Sequence, residues 1–360
     1  MEQNILTTEH PLPLLSAPLL AWYRRSARDL PWRHTADPYR IWVSEIMLQQ
    51  TRVAAVLGYY ARFLAAFPTV EALAAAPEDR LMKLWEGLGY YSRARNLQRA
   101  AKIVAERGGF PDTYQGLLAL PGIGEYTAGA IASAAFGLRE AAVDGNVLRV
   151  ITRLTDCHDD IAVPGTKRTV GEWVRGLMPE AEEDVRIFNQ ALMELGATVC
   201  VPGGPPKCGV CPAGGFCLGR LRGTAERLPV KAPKKARRRE EKTVFLLLRS
   251  GTAALRRRPD SGLLAGLWEF PNVEGTLDEA EAAEAVRAWG LEPKAWRKRL
   301  TAKHIFTHVE WHMTGYALEA AGESPADFLW ADRAGLEARA VPSAFARYYA
   351  ETLRLLEEER

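Results

Sequence analysis

Four cysteines crowded between residues 200 and 217 constrain this chain more than any other feature of its sequence: Cys200, Cys208, Cys211 and Cys217. Between them lie Gly203, Gly204, Pro205, Pro206, Gly209, Pro212, Gly214 and Gly215. A segment so rich in Gly and Pro sustains neither helix nor strand, but it wraps closely around whatever its thiols hold. Four thiolates suit a [4Fe–4S] cluster or a tetrahedral zinc ion. Structural zinc usually takes two close cysteine pairs, and only Cys208 and Cys211 form one here, which favours iron–sulfur. The remaining alternative is four buried free thiols. Cys157, the fifth cysteine, stands alone and reads as a small core residue. Such clustering points to a metal centre in a reducing compartment and not to a disulfide framework.

The chain has 360 residues, 48% of them hydrophobic, enough for a core and for more than one domain. Its net charge of +3 permits a nucleic-acid partner without demanding one. The basic residues concentrate at Arg24 and Arg25, at Lys231 to Arg239, and at Arg256 to Arg258. Met1 to His10 carries Glu2 and Glu9 with no apolar stretch and does not read as a signal peptide. No apolar run is long enough to span a bilayer. The expectation is a soluble, cytoplasmic monomer, nucleoid-associated if bacterial, with no membrane partner.

From Pro11 to about Cys217 the pattern is helical. Val53, Val56, Leu57, Tyr60, Phe63, Leu64 and Phe67 fall at helical spacing and predict one buried face. Leu81, Leu84 and Trp85 begin a shorter pattern. Thr127 to Phe136 is rich in Ala and Gly and predicts a helix that neighbours approach closely, and Val185 to Val199 predicts another. Residues 226–241, basic and Pro-containing, then read as a linker. Beyond it, strands are expected at Thr243–Leu248, Leu267–Phe270 and Trp311–Leu318, and helices at Asp278–Trp289 and Phe345–Leu356. This gives a mainly α domain over 1–225 and a separate α+β domain over 242–360.

One further motif bears on ligands. Leu117-Leu118-Ala119-Leu120-Pro121-Gly122-Ile123-Gly124 leads into the Ala-rich helix. Gly122 and Gly124 leave backbone N–H groups open to an anion, and the helix N-terminus adds its positive end, which suits a DNA phosphate. An ordinary helical hairpin with a Gly turn fits these residues equally well.

This motif resembles the helix–hairpin–helix of DNA repair enzymes. Followed by Val143-Asp144-Gly145-Asn146-Val147 and then the cysteine loop, it is similar in order to the endonuclease III superfamily. Leu30-Pro31-Trp32-Arg33, Ser44-Glu45-Ile46-Met47-Leu48-Gln49-Gln50-Thr51 and Trp85-Glu86-Gly87-Leu88-Gly89-Tyr90-Tyr91 resemble one branch, the adenine-specific mismatch glycosylases (MutY family). The resemblance implies a helix–hairpin–helix glycosylase fold. That fold has a six-helix barrel beside an iron–sulfur module at 200–217, with a Nudix-like domain at the C-terminus. It also implies a [4Fe–4S] cluster on the four cysteines, although Cys200 and Cys208 stand one residue further apart than is usual in the family.

By the same resemblance, the reaction hydrolyses the N-glycosidic bond of adenine paired with 8-oxoguanine or guanine in duplex DNA. Leaving adenine needs a proton, and the sugar cation needs a nearby negative charge. Glu45 matches the general acid, and its neighbours Val43, Ile46, Met47 and Leu48 suggest an apolar pocket that keeps it protonated. Asp144 matches the ionised carboxylate, with Tyr126 and Asn146 in support. From their residue types alone, without the flanking motifs, Glu45 fits a helix-surface carboxylate and Asp144 a helix N-cap better. Gln50, Thr51 and Tyr90 match residues that fill the gap left by the extruded base. Arg33 and Gln190 match positions near the adenine, while Phe306-Thr307-His308 resembles the loop that reads 8-oxoguanine.

Bifunctional lyases of the superfamily carry a nucleophilic Lys where this chain has Tyr126, and a Tyr forms no Schiff base. That weighs against a glycosylase/lyase. A non-catalytic iron–sulfur DNA-binding protein has no need of Glu45 and Asp144 together. A Nudix pyrophosphohydrolase needs a Glu pair where Arg287 and Ala288 stand. His304, His308 and His312 recur every fourth residue, but in a stretch that reads as strand and loop, so no metal is expected there.

Overall fold

The computed structural model describes residues 11–232 and 236–358. It separates into two compact units: Met1–Ala75 with Asn96–Pro233, and Ala76–Arg95 with Lys234–Arg360. Helices α1 (Ser16–Ser26), α2 (Pro38–Leu48), α3 (Val53–Ala66) and α4 (Val70–Ala74) open the first unit. Helix α5 (Glu78–Trp85) belongs to the second, and the boundary passes through α6 (Ser92–Arg107). The first unit continues with α7 (Tyr114–Leu118), α8 (Glu125–Phe136), α9 (Gly145–Thr155), α10 (Pro164–Leu177), α11 (Glu182–Thr198) and α12 (Leu218–Leu221).

Local chemistry explains these boundaries. Asp37 caps α2 by accepting from the Tyr39 amide, and Pro38 sits at the first helical position. Helix α8 is buried on every side from Thr127 to Ala135, which only small residues allow. A methyl added at Gly129 would lie 2.1 Å from the Ala141 carbonyl oxygen, so the neighbouring chain packs directly on this glycine. Val56, Tyr60, Phe63 and Phe67 form the expected buried face of α3. Leu57, expected on that face, is instead 38% exposed, because it lies one residue beyond Val56 and turns toward solvent.

In the second unit a mixed sheet runs in the order β3-β2-β1-β6-β5. Its strands are β1 (Arg238–Arg249), β2 (Thr252–Arg257), β3 (Trp268–Glu269), β4 (Asn272–Glu274), β5 (Leu291–Ile305), β6 (Val309–Gly322) and β7 (Phe328–Ala331). β1 and β6 are parallel, with Phe245 opposite Tyr316; β4 pairs with β1 and β7 with β2. Along β1, Val244, Leu246 and Leu248 enter one core with Phe345 and Tyr348. Phe245 and Leu247 enter a second core with Ala282 and Val286. Helix α13 (Glu279–Ala288) therefore covers one face of the sheet, and α15 (Ala346–Glu358) the other. Helix α14 (Arg333–Glu337) follows β7.

The segment expected to be a linker up to residue 241 is shorter, because Arg238 already pairs with Val309 and begins β1. Lys234 and Lys235 of that segment lie outside the described residues. Helix α13 carries Arg287 and Ala288 in its last turn.

Candidate active site

A cavity of about 510 Å³ in the first unit is lined by Arg33, Glu45, Gln50, Thr51, Tyr126, Asp144, Asn146 and Gln190. Residues far apart in sequence thus converge on one space. Glu45 reaches it from α2, Tyr126 from the first turn of α8, Asp144 from just before α9, and Gln190 from α11. Gly122 and Gly124 lie outside this lining.

The Tyr126 hydroxyl donates to Glu45 Oε2 at 2.6 Å. Burial pushes the Glu45 carboxyl up to about 7; the Tyr126 hydrogen bond and Arg33 oppose that rise, and the Asp144 charge adds to it. Burial, together with the charges of Glu45 and Asp144, also raises the Tyr126 phenol. Asp144 Oδ1 accepts from the amides of Asn146 and Val147, each at 2.8 Å, and Oδ2 accepts from Asn146 Nδ2 at 2.6 Å. Burial raises its pKa, and these donors with Arg149 oppose the rise. All three partners can only donate, an arrangement that suits a carboxylate.

Arg149, one turn further along α9, holds this loop. Its Nη2 donates to Asn146 Oδ1 at 2.8 Å and to the Gly196 carbonyl at 2.7 Å, and its Nε donates to the Cys200 carbonyl at 2.7 Å. Another wall is a charged network. Buried Glu194 on α11 accepts from Arg28 Nε and Nη2 and from Arg33 Nη2. Arg33 lies over the Tyr23 ring at 5.4 Å, and the Tyr23 hydroxyl donates to Gln190 Oε1 at 2.8 Å. Sequence reasoning missed Tyr23, Arg28, Arg149 and Glu194. Glu194 had one visible signal: it falls four residues after Gln190, on the same face and flanked there by the apolar Ala191 and Leu195.

Cys200, Cys208, Cys211 and Cys217 line a second, smaller cavity of about 30 Å³ together with Arg153 and Arg220. Arg153 Nη1 lies 3.3 Å from Cys200 Sγ. Burial pushes the Cys211 thiol up to about 11. Among the described residues no group of three or more His, Cys, Asp or Glu side chains converges tightly enough to hold a single metal ion. The donor set, four thiols with cationic side chains beside them, fits an anionic multi-iron cluster.

In the second unit the Tyr90 hydroxyl hydrogen-bonds Thr307 Oγ1. Phe306, Thr307 and His308 form the tip of the β5–β6 hairpin, closed by Phe306 N donating to the Val309 carbonyl at 2.8 Å. Phe306 packs edge-on against Trp311, while Thr307 and His308 are exposed. Gln50 (φ 58°) and Tyr90 (φ 46°) are both left-handed without being Gly, a conformation that costs energy and concentrates at functional sites. Trp85 Nε1 and Arg93 Nη2 brace the Tyr90 turn through the Gly89 carbonyl.

Comparison with known proteins defines the class first. Residues 43–175 match the HhH-GPD superfamily of base excision DNA repair proteins, and residues 243–351 match the NUDIX domain. A thermostable thymine-DNA glycosylase superposes with a TM-score of 0.53 at 30% identity, covering 59% of this chain and 97% of that one. Endonuclease III trapped on DNA superposes at 0.51 and 24% identity, a likeness of fold, covering 61% of this chain and 99% of that one. The human adenine DNA glycosylase is 37% identical over 85% of this chain and 67% of its own length. The rat protein of that name is 37% identical over 86% and 71%, and one from Buchnera aphidicola 34% over 83% and 83%. The chain belongs to the adenine DNA glycosylase family.

Proposed function

We propose that this protein removes adenine paired with 8-oxoguanine or guanine from duplex DNA, by hydrolysis of the N-glycosidic bond and without strand cleavage. The observation that carries this reading is the buried Glu45–Tyr126 pair facing the same cavity as Asp144. With a pKa of about 7, Glu45 keeps its proton near neutrality and still releases it. Tyr126 donates to Oε2, which leaves Oε1 to deliver that proton to a ring nitrogen of the adenine. The glycosidic electron pair departs with the base. Asp144, held by its amide donors, offsets the positive charge on the sugar, and water completes the hydrolysis. Arg33 and Gln190 face the base; Tyr23 occupies Gln190 Oε1, and Nε2, which donates one hydrogen to the Arg186 carbonyl at 3.4 Å, keeps a second for the base.

Gln50, Thr51 and Tyr90 act where the base leaves the stack, and Phe306, Thr307 and His308 read the opposite base. The amides at Gly122 and Gly124 take a backbone phosphate. Cys200, Cys208, Cys211 and Cys217 would hold a [4Fe–4S] cluster, whose part would be to fix the loop between them. No helix among the described residues is long and apolar enough to cross a membrane.

The test is a duplex with one A opposite 8-oxoguanine, incubated with the purified protein and resolved with and without alkali. Breakage only after alkali supports a monofunctional adenine glycosylase. Breakage without alkali means a lyase, and intact strands in both lanes refute the proposed activity.

A further inference from the structure

We propose that Glu194 is a positioning residue: it fixes the Arg33 guanidinium against the base pocket and balances its charge. The inference rests on reading the cavity as the adenine site. Glu194 is completely buried, yet no part of it faces an apolar wall unpaired. Its Oε1 accepts from the Arg28 backbone amide at 3.1 Å and from Arg28 Nε at 2.7 Å. Its Oε2 accepts from Arg28 Nη2 at 2.7 Å and Arg33 Nη2 at 2.6 Å. Burial opposes the charge, but the two arginines outweigh it and hold the carboxyl down at about 2.

The two arginines differ in what they offer. Arg28 is 40% exposed and spends two guanidinium nitrogens on Glu194, so it closes the carboxylate off from solvent. Both line the cavity, but Arg33 is only 12% exposed. Its Nη1 donates to the Arg28 carbonyl at 2.9 Å, its plane lies over Tyr23, and Nε has no protein acceptor among the described residues. A guanidinium clamped on three sides with one nitrogen left without a protein partner is held ready for a ligand.

Charge balance follows from the same contacts. Tyr126 from α8, Asp144 from the turn before α9 and Arg33 from the turn before α2 face Glu45. On the far side of Arg33 stand Glu194 from α11, Tyr23 from α1 and Arg28 from the turn after α1. An uncompensated cation at Arg33 would favour ionised Glu45 and deprive the site of its acid.

The test is a double-mutant cycle of Glu194→Gln and Arg33→Gln, read as single-turnover excision of A opposite 8-oxoguanine, duplex affinity and the pH profile. Glu194→Gln is expected to slow excision about a hundred-fold, the cost of a misplaced group. Its duplex affinity should hold, and the alkaline limb of its rate–pH curve should move to lower pH. In the Arg33→Gln background the same change should do little more. Should Glu194→Gln not fold, Glu194→Asp takes its place: it keeps the charge but draws Arg33 back, and should slow the wild type yet leave Arg33→Gln unaffected. Effects that add across the cycle, or a slowed variant with an unmoved pH limb, overturn the inference alone. A wild-type protein that leaves the adenine in place overturns the reading of the cavity, and this inference with it.

Discussion

Replacing Glu45 by Gln should abolish base excision and yet stabilise the protein in alkali. A Gln amide has the shape of the protonated acid and still accepts from Tyr126, but it cannot ionise. In the native state burial lifts the Glu45 pKa from 4.5 to about 7, which corresponds to about 3 kcal/mol. A carboxyl with a raised native pKa binds its proton more tightly when folded. Its contribution to stability is therefore complete below about 4.5 and is lost as pH rises through about 7. Between pH about 5.5 and pH about 8.5 the part lost is about 2 kcal/mol, which the Gln variant does not lose. Thermal or urea unfolding of both proteins across that range reads the difference directly. The wild type should fall behind Glu45→Gln by about 4–8 °C in Tm as the pH rises. Parallel curves would mean that Glu45 binds its proton no more tightly folded than unfolded, and the acid role would lose its physical basis.

Three other substitutions probe the neighbouring contacts. Tyr126→Phe removes the donor that holds the Glu45 pKa down, so the alkaline limb of the single-turnover rate should move to higher pH; a limb that stays in place would show the hydroxyl has no hold on the acid. Arg149→Met leaves the Cys200 and Gly196 carbonyls without their guanidinium donor and frees Asn146. It should cost about 3 kcal/mol in urea unfolding and at least ten-fold in excision. Gly129→Ala forces a methyl onto the Ala141 carbonyl and should destabilise by about 3 kcal/mol, measured as a lowered urea midpoint with no change in the pH profile.

Legibility followed the kind of signal each element left. The closely packed α8 was readable because a run of Ala and Gly has few other uses. The two carboxylates of the cavity stood out only through the motifs around them, since a Glu on a helix and an Asp before one are ordinary. Strand β5 was not foreseen. It lies at the sheet edge, and Lys294, Arg297, Lys298, Arg299 and Lys303 break up its apolar alternation, as charge on an edge strand commonly does. Glu194 and Arg149 escaped for a different reason. Their meaning lies in partners 161 and 51 residues away, at Arg33 and Cys200, and no local pattern announces such pairs. The contact between Tyr90 and Thr307, separated by 217 residues, is of the same kind.

Asp144 shows why a structural role and a catalytic one need not compete. It is the N-cap of α9, the plain reading of an Asp before a helix, and it also lines the cavity beside Glu45 and Tyr126. The amides it caps are the donors that favour its charged form in a place where burial favours the neutral one. Glu45 lies in the same cavity with the Tyr126 hydroxyl as its one side-chain hydrogen-bond donor among the described residues, and burial there prevails. Burial raises the pKa of both carboxyls, and what opposes it differs: a helix N-terminus with Asn146 and Arg149 at Asp144, a phenol and Arg33 at Glu45. An acid and an anion are what departure of a purine from a sugar requires, and here the difference between them comes from backbone geometry before any substrate arrives.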